Sequence, residues 1–232
     1  MLGTSRAEYY NPDHAFFDKP SYNFALSGES IYEANQNLKW AVKQNKLKKI
    51  LLGLDYRAFV GYRKSKLSDF DSVFNKVNLY SHLFSLDTLK DSIVSLVDKK
   101  NTIVYKKGYA IKNTHKQREF DLGLGHLSIT INTEKTYYKN QKFSYNYLDD
   151  KTNSIDDFTE ILKICYKNDI ELVIVINPNH IRLWESLDYH VGYDTWLKWK
   201  KDVVLQNDKV SKEFGKNPFE IYDFAIYNKF TS

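Results

Sequence analysis

The sequence predicts an α/β domain with a parallel sheet, and two observations support that prediction. Stretches with apolar residues at helical spacing alternate along the chain with short apolar runs. Those runs are followed by Gly, Asp or Asn, as expected where a buried parallel strand ends in a loop. Helix and strand repeated in this order form βαβ units, whose helices cover both faces of the sheet. The 232 residues are enough for one such domain.

The helices and strands are predicted from the spacing of their apolar residues. In addition, Ser154 and Asp157 form a variant capping box at the start of one helix. In chain order, the predicted helices are 29–46, 78–98, 154–165 and 181–205. The predicted strands are 48–55, 170–176 and 219–224, with a shorter extended run over 23–28.

Residues 101–150 differ from the rest of the chain. They are rich in Tyr, Asn, Lys and Thr, and the run 127–131 alternates between apolar and polar residues. We interpret this stretch as an insertion with irregular or strand structure that caps one edge of the sheet.

Composition excludes several classes of protein and site. The net charge of +5 is mild, and the basic residues are scattered instead of forming the stripe of a nucleic-acid binder. The one cysteine, Cys165, excludes an internal disulfide and a zinc site built on thiolates. The run 172–176 is among the longest apolar runs and is far too short to cross a membrane. We therefore expect no nucleic-acid partner, no metal, no cofactor and no membrane span.

Candidate functional residues follow the predicted strands, because ligands of an open parallel sheet bind at the carboxyl ends of its strands. Ser5 has the setting of a nucleophile at a strand-to-helix turn, although a serine there also serves as a helix cap. Gly28 lets the backbone approach a substrate closely, so that its N–H can point at an oxyanion. The segments selected in this way are 3–6, 23–28, 53–56, 177–180 and 222–224.

Three of these segments together resemble a known family. The resemblance lies in the sequences GTSRAEY (3–9), NFALSG (23–28) and LGLDY (52–56). In this order they are similar to the first three blocks of SGNH (GDSL-type) hydrolases. The likeness is greatest to the variants found with bacterial envelope polysaccharides, whose first block is Gly-[Ser/Thr/Asn/Asp]-Ser-Arg. It covers residues 1–60 well, extends less closely over 155–228 and is absent over 101–150.

The resemblance implies a flavodoxin-like, three-layer α/β/α fold with a serine nucleophile. Ser5 would be that nucleophile, and the backbone N–H groups of Ser5 and Gly28 would form part of the oxyanion hole. Asp55 stands where the family usually has an asparagine that donates to the oxyanion. A carboxylate accepts hydrogen bonds, so Asp55 fits this role only when it is protonated. The alternative is a strand-end residue that bonds nearby backbone.

The family's last block, Asp-x-x-His, has no counterpart after Asp223. His180 follows a predicted strand and is therefore the candidate base; the alternative is a loop or core-edge histidine. The other histidines have no stronger setting: His14, His82, His115, His126 and His190. Two residues precede Gly3, so the resemblance predicts a chain that is clipped at both ends.

The leading expected function is an SGNH-like serine esterase or O-acyltransferase. Its substrate would be an acyl ester, such as an acetyl ester, of a saccharide, an envelope polymer or another small molecule. By the same resemblance, it would act in the cell envelope or periplasm. A nucleotide-binding flavodoxin-like protein is disfavoured because the segment 3–6 lacks the lysine of a P-loop. The oligomeric state is left open by the sequence.

A non-catalytic carbohydrate-binding or structural module is the alternative function. In such a module, tyrosines of the insertion would stack on sugar rings, whereas in the simpler interpretation they pack an amphipathic sheet. These tyrosines are Tyr137, Tyr138, Tyr145 and Tyr147.

Overall fold

A computed structural model describes residues 1–44, 47–60, 64, 104–111, 131, 144–148 and 152–229. In chain order, the strands are β1 (Leu2–Gly3), β2 (Lys49–Leu54), β3 (Val104–Lys106), β4 (Tyr109–Ile111), β5 (Glu171–Ile176) and β6 (Glu220–Asp223). The α-helices are α1 (Ile31–Gln44), α2 (Ser154–Lys167), α3 (Ile181–Val191) and α4 (Tyr193–Glu213). Two 3-10 helices span Ala7–Tyr9 and Tyr56–Phe59. The predicted α/β class with a parallel sheet is confirmed.

Four strands form the parallel sheet in the order β1-β2-β5-β6. The central pair, β2 and β5, is in register along its whole length. Because all four strands point the same way, the loops that follow them emerge at one edge of the sheet. This edge, called the carboxyl edge below, lies beyond Gly3, Leu54, Ile176 and Asp223.

The extended run predicted over 23–28 lies beside β1. The N–H groups of Phe24 and Leu26 donate to the carbonyls of residues 1 and 3, at 2.9 and 3.0 Å. Donor and acceptor both advance by two residues, so the run has the same direction as β1. It therefore leads the chain to Gly28 at the carboxyl edge.

One face of the sheet is covered by the long helices. α1 contacts α2, and α2 contacts α4, so these three helices lie side by side, while α3 packs on α4. Their apolar side chains meet alternate strand residues such as Leu52 and Ile174, which are fully buried. At the centre of this layer, the ring of Phe59 lies 5.7 Å from that of Phe158 and 5.6 Å from that of Trp199. Burial of these side chains is the main stabilising contribution within the described residues.

The opposite face is covered near the carboxyl edge by the first 3-10 helix. Gly3 and Gly53 are partners across β1 and β2 and leave room for that helix. A Cβ added at Gly53 would lie 3.0 Å from Ala7 Cβ and 3.2 Å from Asn177 Nδ2. The glycine pair thus lets the segment after β1 fold back over the sheet. The three-layer arrangement stays a prediction, because the contacts among the described α-helices unite them in the first layer.

Helix α1 begins at a capping box that the sequence analysis did not single out. Ser30 Oγ accepts the N–H of Glu33 at 3.1 Å, and Glu33 Oε2 accepts the N–H of Ser30 at 2.8 Å. These reciprocal bonds satisfy two N–H groups that the first helical turn leaves free. The predicted helix over 29–46 is thereby confirmed and starts at Ile31.

The capping box predicted at Ser154 and Asp157 is wrong. Asn153 is the N-cap of α2, and its side chain accepts an N–H from the first turn at 2.9 Å. Ser154 is fully buried and donates its hydroxyl to the carbonyl of Phe59 at 2.7 Å. Its tertiary contact therefore replaces the local one that the sequence pattern favoured.

The single helix predicted over 181–205 is in fact two helices. Gly192 has a φ of 85° and separates α3 from α4. That backbone conformation interrupts a right-handed helix and is easily adopted by glycine alone. The rings of Trp184 and Trp196 still pack across the break, 5.6 Å apart, so the apolar periodicity continues through it.

Part of the predicted insertion is described. β3 and β4 form an antiparallel hairpin whose turn is Lys107 and Gly108. The carbonyl of Lys107 accepts the N–H of Asn23 at 2.8 Å, and β4 contacts the first 3-10 helix. The predicted helix over 78–98 and most of the run 127–131 lie outside the described residues.

Within the described ranges, no helix combines the length and the apolar character needed to span a membrane.

Candidate functional site

A network of polar side chains occupies the carboxyl edge, and Asp55 is its centre. Asp55 directly follows β2 and is 4% exposed. Its Oδ2 accepts the hydroxyl of Thr4 and, at 2.9 Å, the Nδ2 of Asn177. Its Oδ1 accepts Nη1 of Arg6 at 2.6 Å. One carboxylate therefore ties together the loops that follow three adjacent strands.

The strand order explains why these residues meet. Thr4, Asp55 and Asn177 are each the first residue after their strand, and β1, β2 and β5 are neighbours. Adjacent strands lie about 4.8 Å apart, so side chains at neighbouring strand ends reach one another. A buried carboxylate is destabilising unless it is hydrogen-bonded, and three donors here compensate its burial.

Arg6 is the charged partner of Asp55. The Arg6 side chain is 43% exposed, so the ion pair joins a buried anion to a cation at the surface. The donors from Thr4 and Asn177 satisfy the carboxylate oxygens on the protein side. Such a pair fixes the orientation of the guanidinium more firmly than an exposed pair would.

Tyr10 and Asn23 extend the network. The Tyr10 hydroxyl donates to Oδ1 of Asn177. Burial, together with the nearby Asp55 carboxylate, raises the pKa of Tyr10, so the phenol is a neutral donor. Asn23 is 1% exposed, and its Nδ2 donates to the carbonyls of Ala7 and Tyr10 at 2.7 and 3.0 Å. The segment after β1 is thus held at several points.

A second buried carboxylate, Glu29, supports β1 from the side of the extended run. Its Oε2 accepts the N–H of Gly3 at 2.8 Å, and its Oε1 accepts Nδ2 of Asn37 at 2.5 Å. Burial raises the pKa of Glu29 well above its ordinary value, although both hydrogen bonds act in the opposite direction. Glu29 therefore fixes the backbone just before Thr4 and Ser5.

Ser5 and Gly28 both lie at the carboxyl edge. Ser5 follows Thr4 and is half-buried, whereas Gly28 is exposed and has a φ of 70°. Among the described residues, none hydrogen-bonds to the Ser5 hydroxyl. The fold thus brings the loops of Ser5, Gly28 and Asp55 to one edge, with no base bonded to Ser5 in the part of the chain that the structure describes.

Asp55 accepts hydrogen bonds in this arrangement and offers none. Its three partners are the side chains of Thr4, Arg6 and Asn177, so its carboxylate does not bond nearby backbone either. An oxyanion needs a donor, and Asp55 is the acceptor in all three of these bonds, so its place in an oxyanion hole stays a prediction.

His180 follows β5 and caps α3. Its Nδ1 accepts the N–H of Arg182 at 3.2 Å, and its ring is exposed. A neutral imidazole that accepts through Nδ1 carries its proton on Nε2, so Nε2 is then a donor. In this state neither ring nitrogen is free to accept a proton from Ser5, and the role of His180 as a base stays a prediction.

Two of the tyrosines considered for sugar stacking have inward hydrogen bonds. Tyr147 is 4% exposed and donates to Asp157 at 2.7 Å. Tyr145 is half-buried and donates to Asp202 at 2.7 Å. These contacts favour packing as their role. Tyr137 and Tyr138 lie outside the described residues.

Sequence reasoning missed Tyr10, Asn23 and Glu29, and it gave Asn177 no role of its own. Glu29 is 2% exposed, and the sequence carried no signal of this because glutamate is among the residues least often buried. Asn23 at the start of an extended run was a weak signal. Tyr10 carried none, since its partner is distant in the sequence.

Within the described residues, no group of three or more His, Cys, Asp or Glu is placed to hold a metal ion. Comparison of the chain with family models, with curated proteins and with solved structures gave no match.

Proposed function

We propose that this domain is an SGNH-like serine esterase or O-acyltransferase that acts on acyl esters of a saccharide. The observation that supports the proposal most is that the loops of Ser5, Gly28 and Asp55 emerge at one edge of a parallel sheet. These are the three segments on which the sequence resembles the SGNH family. They are far apart in the chain, and the parallel direction of the strands brings them to the same edge.

The strand order supports the flavodoxin-like part of the proposal. When the run beside β1 is counted as the second extended segment, the order across the sheet becomes 2-1-3-4-5. This is the flavodoxin-like order. In such sheets, ligands bind at the switch point between the first and third strands, where the order of strands across the sheet reverses. Here that place lies between β1 and β2, beside Ser5 and Asp55.

In the proposed reaction, the Ser5 hydroxyl attacks the ester carbonyl carbon and its proton passes to a base. The backbone N–H groups of Ser5 and Gly28 donate to the carbonyl oxygen, which is negatively charged in the tetrahedral intermediate. The alcohol then leaves with a proton, and the acyl group stays on Ser5. Water completes a hydrolysis, or a sugar hydroxyl completes a transfer.

Two buried acidic side chains contribute to this reaction by holding the residues before Ser5 in place. Asp55 holds the hydroxyl of Thr4, and Glu29 holds the N–H of Gly3. The two residues before the nucleophile are thereby fixed in place. A site fixed before the substrate binds does not need to reorganise in the transition state.

His180 is the proposed base. Its Nδ1 now accepts the N–H of Arg182, and this hydrogen bond has to change before the ring can act as a base. The ring has to release the N–H of Arg182, because the nitrogen that faces Ser5 must be unprotonated. His180→Asn separates the two roles, since asparagine caps a helix but does not accept the proton. We expect this variant to keep its stability and to lose turnover.

A serine-directed fluorophosphonate probe tests the proposal. We expect the intact wild-type protein to be labelled at Ser5, as located by peptide mass spectrometry, and Ser5→Ala to remain unlabelled at this position. Ser186→Ala, which removes a half-buried serine of α3, is the matched control and should leave labelling unchanged. Wild-type protein that is not labelled at Ser5 contradicts the proposed serine chemistry.

A non-catalytic carbohydrate-binding module is the second candidate. It is favoured by the observation that no described residue hydrogen-bonds to the Ser5 hydroxyl, because an unassisted serine is a poor nucleophile. Glycan-array binding without turnover of O-acetylated glycans, together with no labelling of Ser5, would support this candidate over the enzyme.

A further inference from the structure

Arginine is used sparingly in this chain, and the three arginines among the described residues all come shortly after strands of the sheet. The 34 basic residues comprise 29 lysines and 5 arginines. Three of the arginines follow β1, β2 and β5, which are adjacent strands: Arg6, Arg57 and Arg182. The other two, Arg63 and Arg118, lie outside the described residues. Arginine differs from lysine because its planar fork pairs with two oxygens of a carboxylate or phosphate.

Arg6 is the arginine whose contacts are best defined. Its Nη1 donates to Asp55 at 2.6 Å, and this is the one hydrogen bond from its guanidinium among the described residues. A guanidinium has five N–H donors, and this side chain is 43% exposed, so donors remain for solvent or a ligand. The anchoring carboxylate fixes the orientation of the fork, which lowers the entropy lost when an oxyanion binds.

Arg57 and Arg182 follow the two strands next to β1 in the sheet order, β2 and β5. Arg57 is exposed in the second 3-10 helix, and Arg182 is half-buried in the first turn of α3. The acidic residues that follow or end neighbouring strands are already paired: Asp55 with Arg6, and Asp223 with Lys200 at 2.6 Å. Each of these two acids is therefore already bonded to a cation of the protein.

We infer that the carboxyl edge recognises an anionic group of its substrate and that Arg6 makes this contact. The inference rests on the proposed function, because the anionic group would belong to the saccharide whose ester approaches Ser5. Arg6 directly follows Ser5 in the chain, and consecutive Cα atoms are about 3.8 Å apart. When the ester is bound at Ser5, an anionic group on the same or the next sugar ring can therefore reach Arg6. The group is a carboxylate or a phosphate, since both accept two parallel hydrogen bonds from a guanidinium.

Binding of oligogalacturonate to the full chain carrying Ser5→Ala tests the inference without turnover. The matched ligand is the methyl ester of the same oligosaccharide, which has the same sugars but no charge. By calorimetry at low salt, we expect the acid to bind at least about 10-fold more tightly than the ester. This preference should shrink at high salt. Glucose 6-phosphate against glucose, followed by ligand-observed NMR, shows whether phosphate replaces carboxylate.

A double variant shows whether Arg6 binds the ligand itself or serves only to neutralise the charge of Asp55. Arg6→Gln with Asp55→Asn removes both charges, so net charge is unchanged and no buried anion is left unpaired. Because the fork is lost, we expect the preferred anion to bind about 10-fold more weakly. Arg6→Lys should lose a smaller part of the affinity, since it keeps the charge alone. Lys212→Gln, at an exposed position of α4, is the charge control and should bind as tightly as the parent.

Three results would overturn the inference: no preference for the charged ligand in either pair, a double variant that binds like its parent, or equally tight binding of an oligonucleotide. None of these results affects labelling of Ser5 by the fluorophosphonate. Conversely, an unlabelled Ser5 with charge-dependent saccharide binding removes the esterase proposal and leaves the anion site in place. The two proposals therefore fail in distinguishable ways.

Discussion

Two regions of the same strands are both buried, but one is apolar and the other is polar. Beneath the helices, β2 and β5 place Leu52 and Ile174 in an apolar core. At the carboxyl edge, the same strands lead into Asp55 and Asn177, which are almost as completely buried but are hydrogen-bonded to each other. Apolar burial stabilises in proportion to area, whereas a buried polar group contributes little even when it is fully bonded.

This difference indicates which region has a role beyond folding. The apolar face needs no function to explain it, because its burial stabilises the domain. Folding alone does not explain the polar edge, because an apolar replacement of similar shape is often neutral or stabilising. Polar residues that converge in this way are typical of sites where geometry matters more than stability. Changes in the two regions should therefore have different consequences.

The largest effect is expected in the apolar face. Phe158→Ala removes a fully buried ring that packs on Phe59, so the free energy of unfolding should fall by about 3–5 kcal/mol. Urea denaturation measures this change. Leu205→Ala, at a 63% exposed position of α4, is the control and should stay within about 0.5 kcal/mol of wild type. A Phe158→Ala variant as stable as this control would contradict the assignment of the core.

A smaller loss is expected where the sheet supports the carboxyl edge. Gly53→Ala brings a Cβ to 3.0 Å from Ala7 Cβ, and the crowding should cost about 2 kcal/mol. Adding Ala7→Gly removes the methyl group that is approached most closely, so the double variant should recover part of the loss. Urea denaturation of both variants makes the comparison. Equal stability of the single and double variants would show that the first 3-10 helix does not press on Gly53.

Glu29 should make the stability of the domain depend on pH. Its pKa is raised on folding above the ordinary value of 4.5, so between these two values the folded chain holds a proton that the unfolded chain has lost. The contribution of Glu29 to stability is therefore largest below about pH 4.5 and falls as the pH rises towards the folded-state pKa.

Glutamine has no group that titrates here, so the free energy of unfolding of Glu29→Gln should not decrease in this way as the pH rises. Urea denaturation over a series of pH values gives the comparison, and the wild-type curve should descend relative to the variant curve as pH rises. Glu185→Gln, at an exposed position of α3, serves as the control. Parallel curves for wild type and Glu29→Gln would contradict the buried placement of this carboxyl.

The smallest effect is expected at the rim of the carboxyl edge. His180→Ala removes the side-chain cap of α3, which should lower the free energy of unfolding by about 0.5–1 kcal/mol. His180→Asn should restore most of this loss, because asparagine is a good N-cap. Thermal unfolding resolves such a difference, and an asparagine variant no more stable than the alanine variant would rule out the capping role.

The elements of this fold were largely predictable because their signals are local. The strands β2 and β5 were located to within about two residues, since continuous apolar runs with flanking loop residues define them. The errors arose where one residue overrode a periodic pattern. Gly192 divides a helix whose apolar spacing continues across it, and Ser154 is drawn into a tertiary hydrogen bond with Phe59.

The candidate site was predictable in location but not in its chemistry. The rule that ligands bind at strand ends selected the loops of Ser5, Asp55 and Asn177. It could not show that Asp55 would accept three hydrogen bonds, or that His180 would cap a helix. A side-chain role depends on which donors and acceptors surround it, and those are set by the packing of distant segments.

By itself, the sequence determined the α/β class, the main strands and the edge at which polar residues would gather, because periodicity and strand direction follow from neighbouring residues. Only the tertiary structure decided the partners within that edge. Arg6 and Asp55 are 49 residues apart, Asp55 and Asn177 are 122 apart, and Tyr10 and Asn177 are 167 apart. Over such separations no local preference specifies a contact, and the order of strands in the sheet brings these groups within hydrogen-bonding distance.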